Sequence, residues 1–125
     1  MKPKTILLAE DDPIVALDLQ QQVMSLGHAV RGPYNMVSAA IDALAADPPE
    51  LAIIDYRLLD GVADRLICAL QQAKIPFAVV TVASGVDLPT QPEPISVFSK
   101  PFDMNTLSNW MKHTGNDTLA APPAE

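Results

Sequence analysis

Short apolar runs that end at charged, hydroxyl or turn-forming residues constrain the fold of this 125-residue chain more than any other feature. Strands are predicted at residues 5–9, 28–30, 51–54, 77–80 and 95–98. The first and third are continuous apolar runs, which is typical of strands covered on both faces. Helical spacing of apolar residues predicts helices at 13–26, 36–46, 62–73 and 104–113. This alternation favours a doubly wound α/β sheet of five parallel strands joined by right-handed crossovers.

Helix boundaries and the return to the fifth strand follow from turn and capping residues. Asp12 is predicted to cap the first helix with Pro13 as its first residue, Asn35 to cap the second and Asp103 the last. Only residues 82–94 separate the fourth and fifth strands, and prolines at 89, 92 and 94 oppose a helix there. We therefore expect the fourth helix to be one turn or absent. We expect one domain over residues 1–113, and a disordered tail or the start of a linker over 114–125.

Charge and cysteine content exclude several classes of function. The chain has 15 acidic residues against 8 lysines and arginines, a formal net charge of -7, and no basic cluster suited to nucleic acid. No apolar run approaches the length of a membrane span. The single cysteine, Cys68, suits a reducing compartment and is predicted to be a small buried residue of the third helix. We expect a cytoplasmic protein that binds neither nucleic acid nor membrane.

Charged and hydroxyl residues stand where the predicted strands end. Glu10 and Asp11 follow the first strand, Asp55 the third and Thr81 the fourth, and Lys100 follows the fifth. In open α/β sheets, ligands bind beyond the carboxyl ends of the strands. With strand order 2-1-3-4-5, the three carboxylates would crowd together, and Mg²⁺ would relieve their repulsion. Lys100 and Thr81 would contact a phosphoryl group, so the pattern predicts a phosphoryl-binding site with a nucleophilic carboxylate.

Four segments resemble the receiver domains of two-component response regulators, which have a flavodoxin-like fold. The segments are residues 6–12, 53–55, 76–81 and 99–102, and the resemblance covers residues 3–113. It implies that Asp55 accepts a phosphoryl group, and that Glu10, Asp11, Asp55 and the backbone carbonyl of Arg57 hold Mg²⁺. It implies that Lys100 and Thr81 hold the phosphoryl oxygens. Residues 76–77 and 81, with the proline-rich return, are similar to a Phe-Ala-Thr-Gly subgroup of this family.

The resemblance implies a single-domain response regulator with Mg²⁺ as its only cofactor. A histidine kinase or a histidine phosphotransfer protein would phosphorylate Asp55, and an unidentified partner protein would carry the output. The chain would be a monomer or a weak dimer, and it would catalyse nothing beyond its own phosphorylation and dephosphorylation.

Three other functions are alternatives to this interpretation. A degenerate receiver would act as a phosphorylation-independent binding module. A small aspartyl-phosphate hydrolase would need an Asp-x-Asp pair, whereas the chain has Asp55-Tyr56-Arg57. A dinucleotide binder would need glycines after the first strand, where Asp11-Asp12-Pro13 stands instead. The last of these is excluded.

Overall fold

A computed structural model describes residues 3–81, 96–99 and 104–113 of the chain. The strands are β1 (Thr5–Ala9), β2 (Ala29–Tyr34), β3 (Leu51–Asp55), β4 (Arg57–Leu58), β5 (Gly61–Val62), β6 (Phe77–Thr81) and β7 (Ser96–Ser99). The helices are α1 (Pro13–Ser25), α2 (Val37–Ala46), α3 (Asp64–Gln72) and α4 (Met104–His113). The fourth helix and the tail, predicted over residues 82–94 and 114–125, lie outside the described residues, as does the Asp103 cap.

The main sheet has five parallel strands in the order β2-β1-β3-β6-β7. Numbered among themselves, these strands follow the order 2-1-3-4-5, so the predicted flavodoxin-like fold is confirmed. The strand order reverses beside β1, because the chain passes first to β2 on one side and then to β3 on the other. A ligand site is expected at the carboxyl ends of the strands near that reversal.

Alternation along β1 divides the interior into two cores. Leu7 and Ala9 pack with residues of α2 and α3 on one face, whereas Ile6 and Leu8 pack with residues of α1 and α4 on the other. Successive side chains of a strand point to opposite faces, so a continuous apolar run serves both cores. The burial pattern of β3, in which all five residues are buried, has the same cause. Both central strands are therefore held rigidly up to the residues at their carboxyl ends.

The first helix begins as predicted. Asp12 is its N-cap, and the Asp12 carboxylate accepts hydrogen bonds from the backbone N–H groups of Ile14 at 2.9 Å and Val15 at 3.4 Å. Pro13 occupies the first turn, where its missing N–H costs nothing. Gly27, with φ +94°, follows the helix in a left-handed conformation that is typical of glycine at a helix C-terminus.

The second strand is longer than predicted. It continues through Gly32 and Pro33, which are joined by a cis peptide bond, to Tyr34. Gly32 has φ +105°, and a Cβ atom there would lie 2.7 Å from the backbone oxygen of Leu8. Glycine at this position lets β2 stay paired with β1 through an irregularity in register between Leu7 and Ala9. The strand predicted over residues 28–30 therefore ends too early.

Two predictions about the second and third helices are also wrong. The second helix has Met36, not Asn35, as its N-cap, and Met36 makes no side-chain capping bond. Val62 belongs to a short antiparallel hairpin, formed by β4 and β5, and the third helix begins only at Asp64. The spacing of apolar residues after Val62 could not distinguish this hairpin from the first turn of a helix, because the hairpin depends on Val62 pairing with Arg57, five residues earlier in the chain.

Cys68 is exposed, so its predicted burial is wrong. The buried residues of α3 are Leu66, Ile67 and Leu70, which lie on one face of the helix. Each helical residue advances about 100° around the axis, so Cys68 points away from that face.

Candidate functional site

Three carboxylates lie together at the carboxyl edge of the sheet. Ala9 of β1 lies opposite Ile54 of β3 in the parallel register, so the next residues along the two strands, Glu10 and Asp55, face one another. One carboxylate oxygen from each of Glu10, Asp11 and Asp55 lies within 4.8 Å of the others. The structure therefore brings together the three acidic residues that the sequence indicated.

Glu10 is held in place from both its backbone and its side chain. Its N–H donates to the backbone oxygen of Tyr34 at 2.9 Å, and its Oε2 accepts from the N–H of Asp12 at 3.2 Å. Only 2% of Glu10 is exposed. These bonds fix Glu10 between the end of β2 and the start of α1, so its carboxylate is held in position on one side of the cluster.

Asp55 is also buried, with 7% exposure, and its Oδ1 accepts from the backbone N–H of Arg57 at 3.3 Å. The backbone N–H of the next residue, Tyr56, donates to the backbone oxygen of Val80 in β6 at 3.4 Å, and the Tyr56 hydroxyl donates to Oδ1 of Asp64 at 2.7 Å. The backbone on the carboxyl side of Asp55 is therefore anchored to the sheet and to the first turn of α3. Arg57 itself is exposed, and the part of it that contacts the cluster here is its backbone N–H.

The two remaining predicted residues, Thr81 and Lys100, can be located only in part. Val80 lies opposite Asp55 in the register between β3 and β6, so the backbone of Thr81 lies one residue beyond that level. Thr81 pairs with Ser99 of β7, which immediately precedes Lys100 in sequence. The Thr81 side chain and Lys100, including the Lys100-Pro101 bond, lie outside the described residues, so the predicted phosphoryl contacts remain predictions.

The donor set of this cluster is chemically suited to a small divalent cation. Carboxylate oxygens are hard ligands, and Mg²⁺ is usually bound in proteins by one or two carboxylates together with water and phosphate oxygens. Two of the three carboxylates are buried, where mutual repulsion is screened least. A bound cation would neutralise part of this charge, so the residues present fit Mg²⁺.

An open groove, which no sequence pattern indicated, adjoins the carboxylates. It has a volume of about 440 Å³ and is lined by Glu10, Asp11, Pro13, Ala16, Leu17, Gln20, Pro33 and Asn35. On α1 beside it, Ile14 is 79% exposed and Leu17 is 53% exposed. The acidic cluster therefore opens onto a partly apolar surface formed by α1 and the connection from β2 to α2.

Asp60, which precedes Gly61 in the turn between β4 and β5, is a further residue of interest. Its Oδ1 accepts from the N–H of Val37 at 2.6 Å, and its Oδ2 accepts from the N–H of Ser38 at 3.1 Å. The Val37 hydrogen bond is the main cause of the lowered pKa of Asp60. Asp60 thus supplies the side-chain cap of α2 that Met36 does not provide. The Asp-Gly dipeptide marked the turn, but nothing local marked its partner in the chain.

Comparison with known proteins gives a consistent result. The phyllosphere-induced regulator PhyR of Methylorubrum extorquens is 32% identical over an alignment of 107 residues, and the match covers 82% of this chain and 40% of that protein. The PhyR response regulator receiver domain of Erythrobacter litoralis, solved by NMR, superimposes with a TM-score of 0.76 at 27% identity. That match covers all of this chain and 98% of the other. No protein-family model matches the chain.

A crystal structure of the anti-anti-sigma factor PhyR from Bartonella quintana has a TM-score of 0.72 at 27% identity, and the match covers 89% of this chain and 46% of that one. The chain therefore spans less than half the length of the two longer relatives. Its match to the separate receiver domain is nearly complete in both directions. Among the residues that the structure describes, no helix has the length and apolarity that crossing a membrane requires.

Proposed function

The chain belongs to the receiver domains of response regulators, and we propose that it accepts a phosphoryl group on Asp55 and signals by binding a partner protein. The observation that carries this proposal is the convergence of the Glu10, Asp11 and Asp55 carboxylates at the reversal of strand order. The donor would be a phosphohistidine on a histidine kinase or on a histidine phosphotransfer protein.

The proposed reaction is an in-line phosphoryl transfer. An oxygen of the Asp55 carboxylate attacks phosphorus, and the bond from phosphorus to the donor imidazole nitrogen breaks, its electron pair remaining on that nitrogen. The product is an acyl phosphate on Asp55. The Arg57 N–H orients the attacking carboxylate through its hydrogen bond to Oδ1. Burial of Asp55 between β1 and β6 restricts its rotamers, so the nucleophile is positioned before the donor arrives.

Magnesium is the cofactor proposed for this transfer. Glu10, Asp11, Asp55 and the backbone carbonyl of Arg57 would hold it, and when bound it would neutralise negative charge shared by the carboxylates and the incoming phosphoryl oxygens. Lys100 and the Thr81 hydroxyl would contact the phosphoryl oxygens after transfer. The groove beside Asp11 gives a donor protein direct access to the cluster, and the exposed side chains of Ile14 and Leu17 offer it apolar contact.

The output would be protein binding. The Bartonella relative is an anti-anti-sigma factor, and we infer that this chain, too, acts on a regulatory protein rather than on a metabolite. The chain matches less than half of that relative. The shared part is thus the receiver, whose role would be to control binding according to the phosphorylation of Asp55.

The test is phosphorylation of the purified protein by acetyl phosphate with Mg²⁺, and by candidate histidine kinases from the same genome. We expect one phosphoryl group per chain, released by hydroxylamine as an acyl phosphate is, and no label on the Asp55→Asn variant. Asp42→Asn is a matched control, because Asp42 is an exposed aspartate of α2 outside the cluster. Labelling that persists in Asp55→Asn would refute the assignment. A wild-type protein that binds its partner but is never labelled would be the phosphorylation-independent binding module.

A further inference from the structure

The hairpin that follows the acceptor residue is attached to α2 through one carboxylate. This hairpin, formed by β4 and β5 over residues 57–62, begins two residues after Asp55 and carries Asp60 in its turn. Both oxygens of Asp60 accept hydrogen bonds from the first two N–H groups of α2, at 2.6 and 3.1 Å. We infer that Asp60 is a positioning residue for the acceptor site, which holds the backbone of Arg57 where it can serve as a Mg²⁺ ligand. The inference rests on the proposed function.

The hairpin is rigidly connected to Asp55 on its own side. Arg57 pairs with Val62 in the antiparallel ladder, and the Arg57 N–H contacts the Asp55 carboxylate at 3.3 Å. The N–H of Ala63 donates to the backbone oxygen of Tyr56 at 2.8 Å, closing the base of the hairpin. A displacement of the turn is therefore transmitted to Arg57 through a two-residue ladder, since no flexible segment lies between them.

The far side of the hairpin is connected to the opposite wall of the site. Leu59 donates its N–H to the backbone oxygen of Asn35 at 3.0 Å, and Asn35 lines the groove beside Glu10 and Asp11. The hydrogen bonds that Asp60 accepts from Val37 and Ser38 lie just beyond this contact in the sequence. Together these bonds join the loop that follows Asp55 to the loop that borders the other two carboxylates. Asp60 strengthens this junction with two side-chain bonds to the start of α2.

The exposed position of Asp60 suggests how its loss would appear. Removing the carboxylate takes away the cap of α2 and should lower stability moderately, but water can then reach the N–H groups of Val37 and Ser38, so the protein should stay folded. What would be lost is the constraint on the turn, and hence the fixed position of the Arg57 carbonyl. Residues that orient metal ligands from outside the coordination shell typically affect metal affinity by about 10–100-fold when changed.

The experiment is calorimetric titration of the full chain with MgCl₂ alone, using wild type, Asp60→Ala, Asp60→Asn and Ala45→Gly. We expect Asp60→Ala to bind Mg²⁺ about 10-fold more weakly. Asp60→Asn, which keeps an oxygen acceptor for Val37, should recover most of the affinity. Ala45→Gly weakens α2 at its exposed last turn, far from the hairpin, and should bind like wild type. Amide hydrogen exchange at Val37 and residues 57–62 should accelerate in Asp60→Ala alone.

Three results would overturn the inference. They are wild-type Mg²⁺ affinity in Asp60→Ala, unchanged exchange at residues 57–62, and an equal loss in Asp60→Asn, which would assign the effect to charge. Failure here is distinguishable from failure of the proposed function. If wild type and Asp60→Ala are labelled equally at every Mg²⁺ concentration, only the positioning role is wrong. If wild type is never labelled, the proposed function fails, and the exchange data still report whether Asp60 constrains the hairpin.

Discussion

Replacing Asp11 with asparagine should stabilise the protein in the absence of divalent cations. The oxygens of Asp11, Glu10 and Asp55 lie within 4.8 Å of one another. Two unit charges at that distance repel by roughly 3.5 kcal/mol at an effective dielectric constant of about 20, and by roughly 0.9 kcal/mol at the dielectric constant of water. Asp11 faces two such charges but is partly exposed, so each of the two repulsions should lie near the lower limit. We expect a gain of about 1–3 kcal/mol in the free energy of unfolding, which is roughly 4–12 °C in Tm for a domain of this size.

The assay is thermal unfolding at low ionic strength, with and without MgCl₂. Magnesium binds only the folded state, so it should raise the Tm of wild type more than that of Asp11→Asn, and the two curves should converge. Added monovalent salt should reduce the difference between them. Asp42→Asn makes the same change in net charge outside the cluster and should leave Tm nearly unchanged. The electrostatic reasoning is refuted if Asp11→Asn melts at or below the wild-type temperature without Mg²⁺, or if Mg²⁺ shifts both proteins equally.

Two further predictions concern the core and the amino end of the sheet. Leu66→Ala removes a fully buried side chain of α3 and should lower the free energy of unfolding, measured with urea, by about 3 kcal/mol. Leu59→Ala is the control, because Leu59 is 64% exposed and its loss should cost little. A loss below about 1 kcal/mol for Leu66→Ala would contradict the packing described. Burial and the nearby Lys4 lower the pKa of His28 from 6.5. As the pH falls, the unfolded chain therefore binds a proton before the folded chain does. The contribution of His28 to the free energy of unfolding should be complete above pH 6.5 and should decline as the pH falls toward the lowered value. The urea midpoint of His28→Asn should lose this part of the pH dependence, and an unchanged slope would show that other groups cause it.

The acidic cluster was the part of the site most accessible from sequence. Apolar runs that end at Glu10 and Asp55 indicate buried parallel strands, and the carboxyl ends of such strands lie at one edge of the sheet. The cap at Asp12 was equally accessible, because the capping oxygen and the N–H groups it contacts are two and three residues apart. Interactions between residues this close in the chain can be predicted directly from the sequence.

The Asn35 cap was predicted by the same reasoning and is wrong, because a competing acceptor lies elsewhere in the chain. Asp60 reaches the start of α2 from 23 residues away, once the hairpin has formed. The irregular continuation of β2 through Gly32 likewise depends on the backbone of Leu8 in the neighbouring strand. Neither contact has a local signature, since each is created only when two separate segments pack against the sheet.

The order of residues alone thus determined the strand and helix alternation, and with it which carboxylates face one another, because a parallel sheet leaves little freedom at the ends of its strands. The tertiary structure decided which groups hold that site in place, namely the hairpin after Asp55 and the attachment of Asp60 to α2. These depend on the free energy of packing distant segments together, which local propensities do not contain.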